Sequence, residues 1–345
     1  LIDASLPAID LATGPEYGND SYSDWSVMGF FGRFTYNFSE RYFIEINGRK
    51  DGSSRFPKDE RWGFFPSASA AWNITQESFM ENIKAISLLK LRASLGEIGN
   101  QNTPTLYDFY AGLSGIQSAW IDPSTGIKYT SLSTPPIVRN DFTWETVRTL
   151  NYGIDLSLFN NRLSSSFDLF KRQTIDMLGP GASLPTVLGA APPFQNAADL
   201  EVNGWELEMK WQSKIKAVSY YAGFNLTDNQ AKITKFNNEA GLISDYYVGQ
   251  NIGEIYGNVT DGYYTVDDFV AGTLNSNLQN GTLNPGVVKV QGVNPNPGDI
   301  KYKDLNGDLV VNSNDYTVIG HGLPKHIGGF TNNFVYKGFD LNVFF

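Results

Sequence analysis

The sequence has no cysteine, two histidines, no excess of positive charge and no apolar run of the roughly 18 residues that a membrane-spanning helix requires. Without cysteine there is neither a disulfide framework nor a thiolate metal site. His321 and His326 stand five apart around Gly322 and Pro324, a spacing that suits neither a helical metal pair nor a nucleophilic triad. The net charge of -10 argues against nucleic-acid binding, because neutralising phosphates takes a basic surface. No Gly-x-Ser-x-Gly, phosphate loop or dinucleotide fingerprint occurs, so an enzyme is not expected. The absence of an apolar helix does not exclude a β-barrel, whose strands alternate lipid-facing and lumen-facing residues and average to a polar composition.

What is present is period-two alternation, which sets successive side chains on opposite faces of a strand. Leu150, Tyr152, Ile154, Leu156 and Leu158 share one face, with Asn151, Gly153, Asp155 and Ser157 on the other. Beyond Asn160-Asn161 the chain returns through Leu163, Ser165, Phe167 and Leu169 against Ser164, Ser166 and Asp168, which predicts a hairpin. Trp205, Leu207, Met209 and Trp211 alternate with Glu206 and Glu208, and Val218 to Thr227 form the return strand. Phe30 to Phe38 and Tyr42 to Arg49 pair across Ser39-Glu40-Arg41, and Lys337-Gly338 separates a further pair. Strands at Trp62 to Ile74 and Leu88 to Gly96, joined through a helical turn at Glu77 to Met80, bring the expectation to about ten.

The connections are unequal. Tight turns are expected near residues 39, 160, 214 and 337, and long polar stretches at 98–145, 176–201 and 232–325. Outer-membrane barrels have this asymmetry, with short periplasmic turns and long extracellular loops. The expected strands, about 9 to 13 residues long, match a tilted bilayer crossing better than the 5 or 6 usual in soluble sheets. Aromatics at strand ends, among them Tyr42, Phe43, Phe64, Phe65, Trp205 and Trp211, suit interfacial girdles. The fold class expected is therefore all-β, a transmembrane antiparallel β-barrel with long outer loops. A soluble all-β sandwich, a surface or secreted carbohydrate-binding module, is the alternative, because it too alternates.

Specific motifs carry a resemblance. Arg49-Lys50-Asp51-Gly52-Ser53-Ser54-Arg55-Phe56, then Arg61-Trp62-Gly63-Phe64-Phe65-Pro66-Ser67, Leu89 to Gly96, Gly99-Asn100-Gln101-Asn102, Trp144-Glu145, Leu150 to Asp155, Asn203 to Leu207 and Gly298 to Asp308 occur in order. Together they resemble SusC/RagA-type TonB-dependent outer-membrane transporters of Bacteroidetes, from about residue 27 to the end. The resemblance implies part of a 22-stranded barrel over 27–345, with 1–26 an unassigned strand or loop entry and the plug domain, TonB-binding segment and final strands absent. It further implies residence in the outer membrane among lipid, and active import of glycans or peptides. A SusD-like lipoprotein and the TonB complex, engaged through the missing N-terminal part, would be the partners.

Two groups of candidate site residues follow. Asp304, Asn306, Asp308, Asn312 and Asp315 fall at positions 1, 3, 5, 9 and 12 of a calcium loop, although position 6 is Leu309 rather than glycine and position 12 is not glutamate. A polar Asx-turn loop is the other reading. Aromatic residues of the outer loops, Tyr107, Tyr110, Trp120, Tyr129, Tyr246, Tyr247 and Tyr263, are candidates for stacking on sugar rings. The Asp51 to Phe56 segment is expected to be structural at the outer rim, and Glu206 and Glu208 to face the lumen.

Overall fold

The computed structural model describes residues 22–345 apart from 104–105, 114, 127, 134, 181–184, 190–191 and 239–245, so most of the unassigned entry segment 1–26 lies outside the described residues. The chain divides into two compact units, one comprising residues up to Gln250 together with His326–Phe345, the other Asn251–Lys325.

The first unit is built on one antiparallel sheet. Its strands in chain order are β1 (Val27–Phe38), β2 (Tyr42–Ser53), β3 (Trp62–Asn73) and β4 (Ile86–Asn100). A small separate hairpin follows, β5 (Gly115–Ile121) with β6 (Lys128–Leu132). The main sheet resumes with β7 (Glu145–Leu158), β8 (Leu163–Pro180), β9 (Phe194–Ile215) and β10 (Val218–Lys235). The second unit holds only short strands: β11 (Glu254–Gly257), β12 (Thr260–Tyr263), β13 (Lys289–Val290), β14 (Ile300–Tyr302), β15 (Val310–Val311) and β16 (Thr317–His321). β17 (His326–Tyr336) and β18 (Phe339–Phe344) complete a ten-stranded sheet ordered β1-β2-β3-β4-β7-β8-β9-β10-β17-β18. Sequential strands are therefore neighbours throughout, as in an up-and-down barrel wall.

The expected hairpins form with their alternation intact. Ile154 pairs with Leu91 on one side and Phe167 on the other, and Phe167 with Leu207, so the apolar sets of successive strands fall on one face. On that face Tyr152 and Ile154 stay 55% and 44% exposed. A sandwich would cover them; the barrel reading leaves them for lipid.

Apolar residues do not run the full length of the strands. On β3, Trp62 and Trp72 bracket the apolar face; ten residues at about 3.3 Å each, tilted by about 40°, project to roughly 25 Å, the height of a barrel's lipid band. Phe30 stacks with Trp62 at one limit, and Phe38, Tyr42 and Trp72 stack at the other. There the Glu77 carboxylate accepts from the Tyr42 hydroxyl at 2.8 Å and the Trp72 indole at 2.9 Å, so each ring stays apolar while its polar handle is satisfied.

Several boundaries differ from the sequence reading. β8, β9 and β10 run 18, 22 and 18 residues, so much of 176–201 is strand rather than loop. Past Leu169 and Trp205 the formerly apolar face turns polar: Lys171 pairs with Glu201 at 2.9 Å, and Gln173 and Asn203 donate to the same carboxylate. Alternation of polarity stops there, but the ladder continues. β4 likewise extends beyond Leu88 to Gly96, the tight turn near 214 falls at Lys216-Ala217, and the helical turn at Glu77 to Met80 resolves into two 3₁₀ turns, Ile74–Gln76 and Ser78–Met80. Most of 232–325, expected as a polar stretch, belongs to the second unit, which has its own core of Tyr264, Phe269 and Val311. Phe65, expected in a girdle, is instead buried at 7% exposure.

Candidate functional site

The ends of the main sheet are unlike. At one end the connections are 39–41, 74–85, 159–162, 216–217 and 337–338; at the other they are 54–61, 101–144, 181–193 and 236–325. In the two-residue turn between β17 and β18, Lys337 and Gly338 both adopt positive φ, 46° and 85°, which matches the strand twist. Tyr107, Tyr110, Trp120 and Tyr129 all belong to the long connection 101–144.

An aromatic cluster knits that end together. Phe56, Phe65, Phe142 and Trp144 are all at least nine-tenths buried, and the Trp144 ring centroid lies 5.1 Å from Phe56 and 5.4 Å from Phe65. Each such ring contributes about 1.5–3 kcal/mol by leaving water. Backbone groups are satisfied around it: the Trp144 indole donates to the Arg61 carbonyl at 2.8 Å, and the Thr143 hydroxyl to the Glu60 carbonyl at 3.2 Å. From β9, Asn196 takes the Thr143 amide at 2.9 Å and donates to the carbonyls of Thr143 and Asp176. The Arg55 guanidinium covers the Trp25 ring at 4.2 Å and donates to the Gln101 carbonyl. Asp51 to Phe56 thus has the rim position expected of it, with Arg55 tied to Gln101 and Phe56 to Phe142 and Trp144 far along the chain. Phe142 and Asn196 carried no signal in the sequence, because each lies beyond the alternating part of its neighbouring strand.

The candidate aromatics fall into separate places. Tyr107, at φ 64°, donates its hydroxyl to the Asp24 carbonyl at 2.7 Å, and its ring meets Phe109 edge-on, so it is a packing residue of the rim. Tyr110 lies 4.5 Å from Phe109 and is 68% exposed. Trp120 and Tyr129 stack on the β5–β6 hairpin, centroids 5.7 Å apart and planes 15° apart, both half-exposed or more. The Tyr129 hydroxyl donates to Asp122 at 2.6 Å. That bond, after the one from the Ser124 hydroxyl, holds the Asp122 carboxyl well below the usual carboxylate range and raises the Tyr129 phenol. Tyr246 packs edge-on against Phe236, the Tyr247 amide donates to the Gln250 side chain, and Tyr263 projects from β12 in the second unit.

The expected calcium spacing is realised as a ring of Asx turns. Asp304 accepts the amides of Gly307 and Leu309, each at 2.6 Å; Asn306 accepts that of Asp308, Asp308 that of Val310, and Asn312 that of Asn314. Asp315 is fully buried and takes the amides of Leu305 and Asn312 at 2.9 and 2.8 Å, and these amide bonds, the one from Asn312 foremost, lower its carboxyl. Leu309 adopts φ 65°, the left-handed conformation that glycine takes at that loop position at little cost. Among the described residues no three His, Asp or Glu side chains are grouped to hold a metal ion.

The polar face of the sheet carries cross-strand ionic contacts in its membrane span. Arg92 bridges Asp155 and Asp168, and Arg33 bonds Glu45 at 2.5 Å. Glu206 and Glu208 lie on this face beside Ser166 and Asp168, as expected. His326, at the start of β17, sits 3.7 Å from Asp228 and beside Trp205.

A single meandering sheet with one uncovered apolar face, one ionic face, tight turns at one end and elaborated loops at the other defines the wall of a transmembrane β-barrel. The chain belongs to the TonB-dependent receptor family: the family model described as TonB dependent receptor-like, beta-barrel matches residues 3–342. It is 32% identical to TonB-dependent receptor P39 of Formosa agariphila over 93% of this chain, and 30% identical to TonB-dependent receptor SusC of Bacteroides thetaiotaomicron over 92%. These alignments take in 32% and 30% of the relatives, so the chain spans about a third of their length. Among solved structures, the RagAB peptide importer in its closed-closed state superposes with a TM-score of 0.71 at 23% identity, over 97% of this chain and 35% of that one, a likeness of fold.

Proposed function

We propose that this chain forms part of the wall and outer mouth of an active importer in the bacterial outer membrane, taking up oligosaccharides or peptides. In this reading a SusD-like lipoprotein closes over the long-loop end, and TonB engages a part of the protein that this chain does not include. The observation that carries it is the uncovered apolar face bounded by aromatic rings: a soluble carbohydrate-binding module would have to bury that face, whereas a barrel presents it to lipid. Among the solved structures of like fold, one is titled a peptide importer, which keeps peptides among the cargoes to be tested. The exposed Trp120–Tyr129 stack favours saccharide, because a flat aromatic pair matches the apolar face of a sugar ring. The role requires binding and passage only, with no bond broken.

The test is uptake by cells carrying the complete transporter, with labelled oligosaccharides and labelled peptides supplied separately. Accumulation that collapses when a protonophore discharges the inner-membrane gradient supports the reading. Recovery of the complete protein from the soluble fraction overturns it.

A further inference from the structure

On the apolar face of the main sheet, towards the tight-turn end, a groove of about 530 Å³ runs across β2, β3, β4, β7 and β8. Its floor is Ala70 beside Ala93, two methyl side chains adjacent across the β3–β4 ladder. Ile44 stands on one side of that pair and Tyr152 on the other, and Trp72 and Leu91 close the next row. Arg92, the charged residue of the lining, turns to the polar face, where it holds Asp155 and Asp168, so the groove itself is apolar. Between lipid and protein there is no hydrophobic driving force, but a concavity that nothing fills forfeits dispersion contacts along its walls. A bilayer chain is flexible enough to follow the groove, whereas a second barrel would need a matching ridge.

The groove ends at charge. Tyr42 and Trp72, which line it, both donate to Oε1 of Glu77, and the Arg41 guanidinium lies 3.8 Å from the other oxygen. At that distance no hydrogen bond forms, and the Arg41 side chain, 42% exposed against 14% for Glu77, makes none elsewhere among the described residues. A fork of free donors at the aromatic limit of the lipid band is suited to two oxygens of a lipid phosphate. The connections along this edge, 39–41, 74–85 and 159–162, carry Glu40, Glu77 and Glu81 against Arg41, Lys84 and Arg162, three of each sign. An edge without net charge gives no preference to an anionic lipid and suits a headgroup that itself carries both signs. Resting on the outer-membrane reading, in which the tight turns are periplasmic, we propose that the groove binds a zwitterionic glycerophospholipid of the periplasmic leaflet. One acyl chain lies over Ala70 and Ala93, and the phosphate rests on Arg41.

The experiment reconstitutes the complete barrel protein in vesicles of phosphatidylethanolamine and phosphatidylglycerol in equal amounts, extracts it in mild detergent and counts the retained lipid by native mass spectrometry. The wild type is expected to keep phosphatidylethanolamine. Arg41→Gln, which removes the charge-assisted bonds, and Ala70→Phe, which fills the groove, are each expected to lower that retention about tenfold. Ala222→Phe, an equal enlargement on the same face of β10 outside the groove, is expected to leave it unchanged. Heat-modifiable migration on gels establishes that each variant still forms a barrel, and Ala70→Phe decides the matter if Arg41→Gln does not fold. Equal retention in all folded variants means annular lipid only and overturns the site, as does a preference for phosphatidylglycerol or loss of all lipid from the wild type. Wild-type dimers that Ala70→Phe dissociates overturn it in favour of a second copy seated in the groove. Each of these outcomes leaves the importer reading in place, which falls instead if the complete protein is recovered from the soluble fraction.

Discussion

The Arg92 guanidinium reaches across Gly153 to Asp168, 76 residues further along the chain, bonding it at 3.1 Å while also holding Asp155 at 2.8 Å. The contact spans two ladders, because Arg92 pairs with Gly153 and Gly153 with Asp168, and only an absent side chain on β7 lets the arginine lie flat across it. A Cβ on Gly153 would stand 2.7 Å from both the guanidinium carbon and an Asp168 oxygen.

Arg92→Met removes the cation and leaves two carboxylates in the same polar patch. The side chains are one-sixth to one-third exposed, so the expected loss is about 1–2 kcal/mol, above an exposed pair and below the 3–5 kcal/mol of a fully buried one. Urea unfolding in lipid vesicles reads it. Combining Arg92→Met with Asp168→Asn is expected to recover part of the loss, giving a measurable coupling in a double-mutant cycle.

Phe65 offers a second test of a glycine used for close approach. Its ring lies over Gly63 and Gly99, where added Cβ atoms would stand 2.4 and 2.0 Å from it. Gly99→Ala must therefore push the ring out of its contact with Trp144, at an expected 1–3 kcal/mol or about that, as overpacking does. Tryptophan fluorescence of the folded variant should shift to the red as water reaches Trp144, and Phe65→Leu in the same chain should restore part of the stability.

How much of this was legible in the sequence depends on whether a segment's polarity reports its face. Leu150 to Leu158 alternate because one side meets lipid and the other the lumen, so β7 and its hairpin partner could be read directly. Lys171, Gln173, Glu201 and Asn203 lie on the same side as Leu169 and Trp205 but beyond the apolar band, so both sides of β8 and β9 are polar there and the strands seemed to end early. In 251–325 the strands are two to five residues long, too short for a periodic signal, and its core residues Tyr264, Phe269 and Val311 are scattered among turn formers. The rim aromatics could be named as a motif, but the contacts of Arg55 with Gln101 and of Phe56 with Trp144 depend on where the 101–144 connection turns, which no local pattern encodes.

The second unit should respond to acid in a defined window. Amide bonds, from Thr265 to Asp268 and from Asn312 and Leu305 to Asp315, with the Lys301 ammonium beside Asp268, hold both carboxyls below their ordinary pKa of about 3.9. Groups lowered on folding stabilise fully above the unfolded pKa and lose that contribution as the pH falls through the folded value. Hydrogen exchange of amides in 264–315 is therefore expected to be flat from pH 8 to 5, once corrected for intrinsic rates, and to lose protection below about pH 4. Asp315→Asn should open the loop severalfold even at neutral pH. A chelator added at pH 7 separates the two readings of 304–315: unchanged protection fits an Asx-turn ring held by amides alone, and a drop identifies a bound calcium.

The sharpest prediction concerns the sign of one substitution. Ile154 lies near the middle of the apolar face, 44% exposed, between Leu91 and Phe167. On a soluble sheet an arginine at such an exposed position would be tolerated, within about 0.5 kcal/mol either way. Facing the bilayer midplane it should cost about 2–4 kcal/mol, falling towards 0–1 at the interfaces. Ile154→Arg is thus expected to destabilise the complete barrel in lipid vesicles by that amount, whereas arginine in place of Lys171, past the aromatic limit at Trp205, should change little. Asn151→Arg, one strand position away from Tyr152 but on the ionic face, supplies the control within the same strand. Equal, small effects at positions 154 and 151 would mean that the apolar face does not meet lipid, and the barrel reading would fall with it.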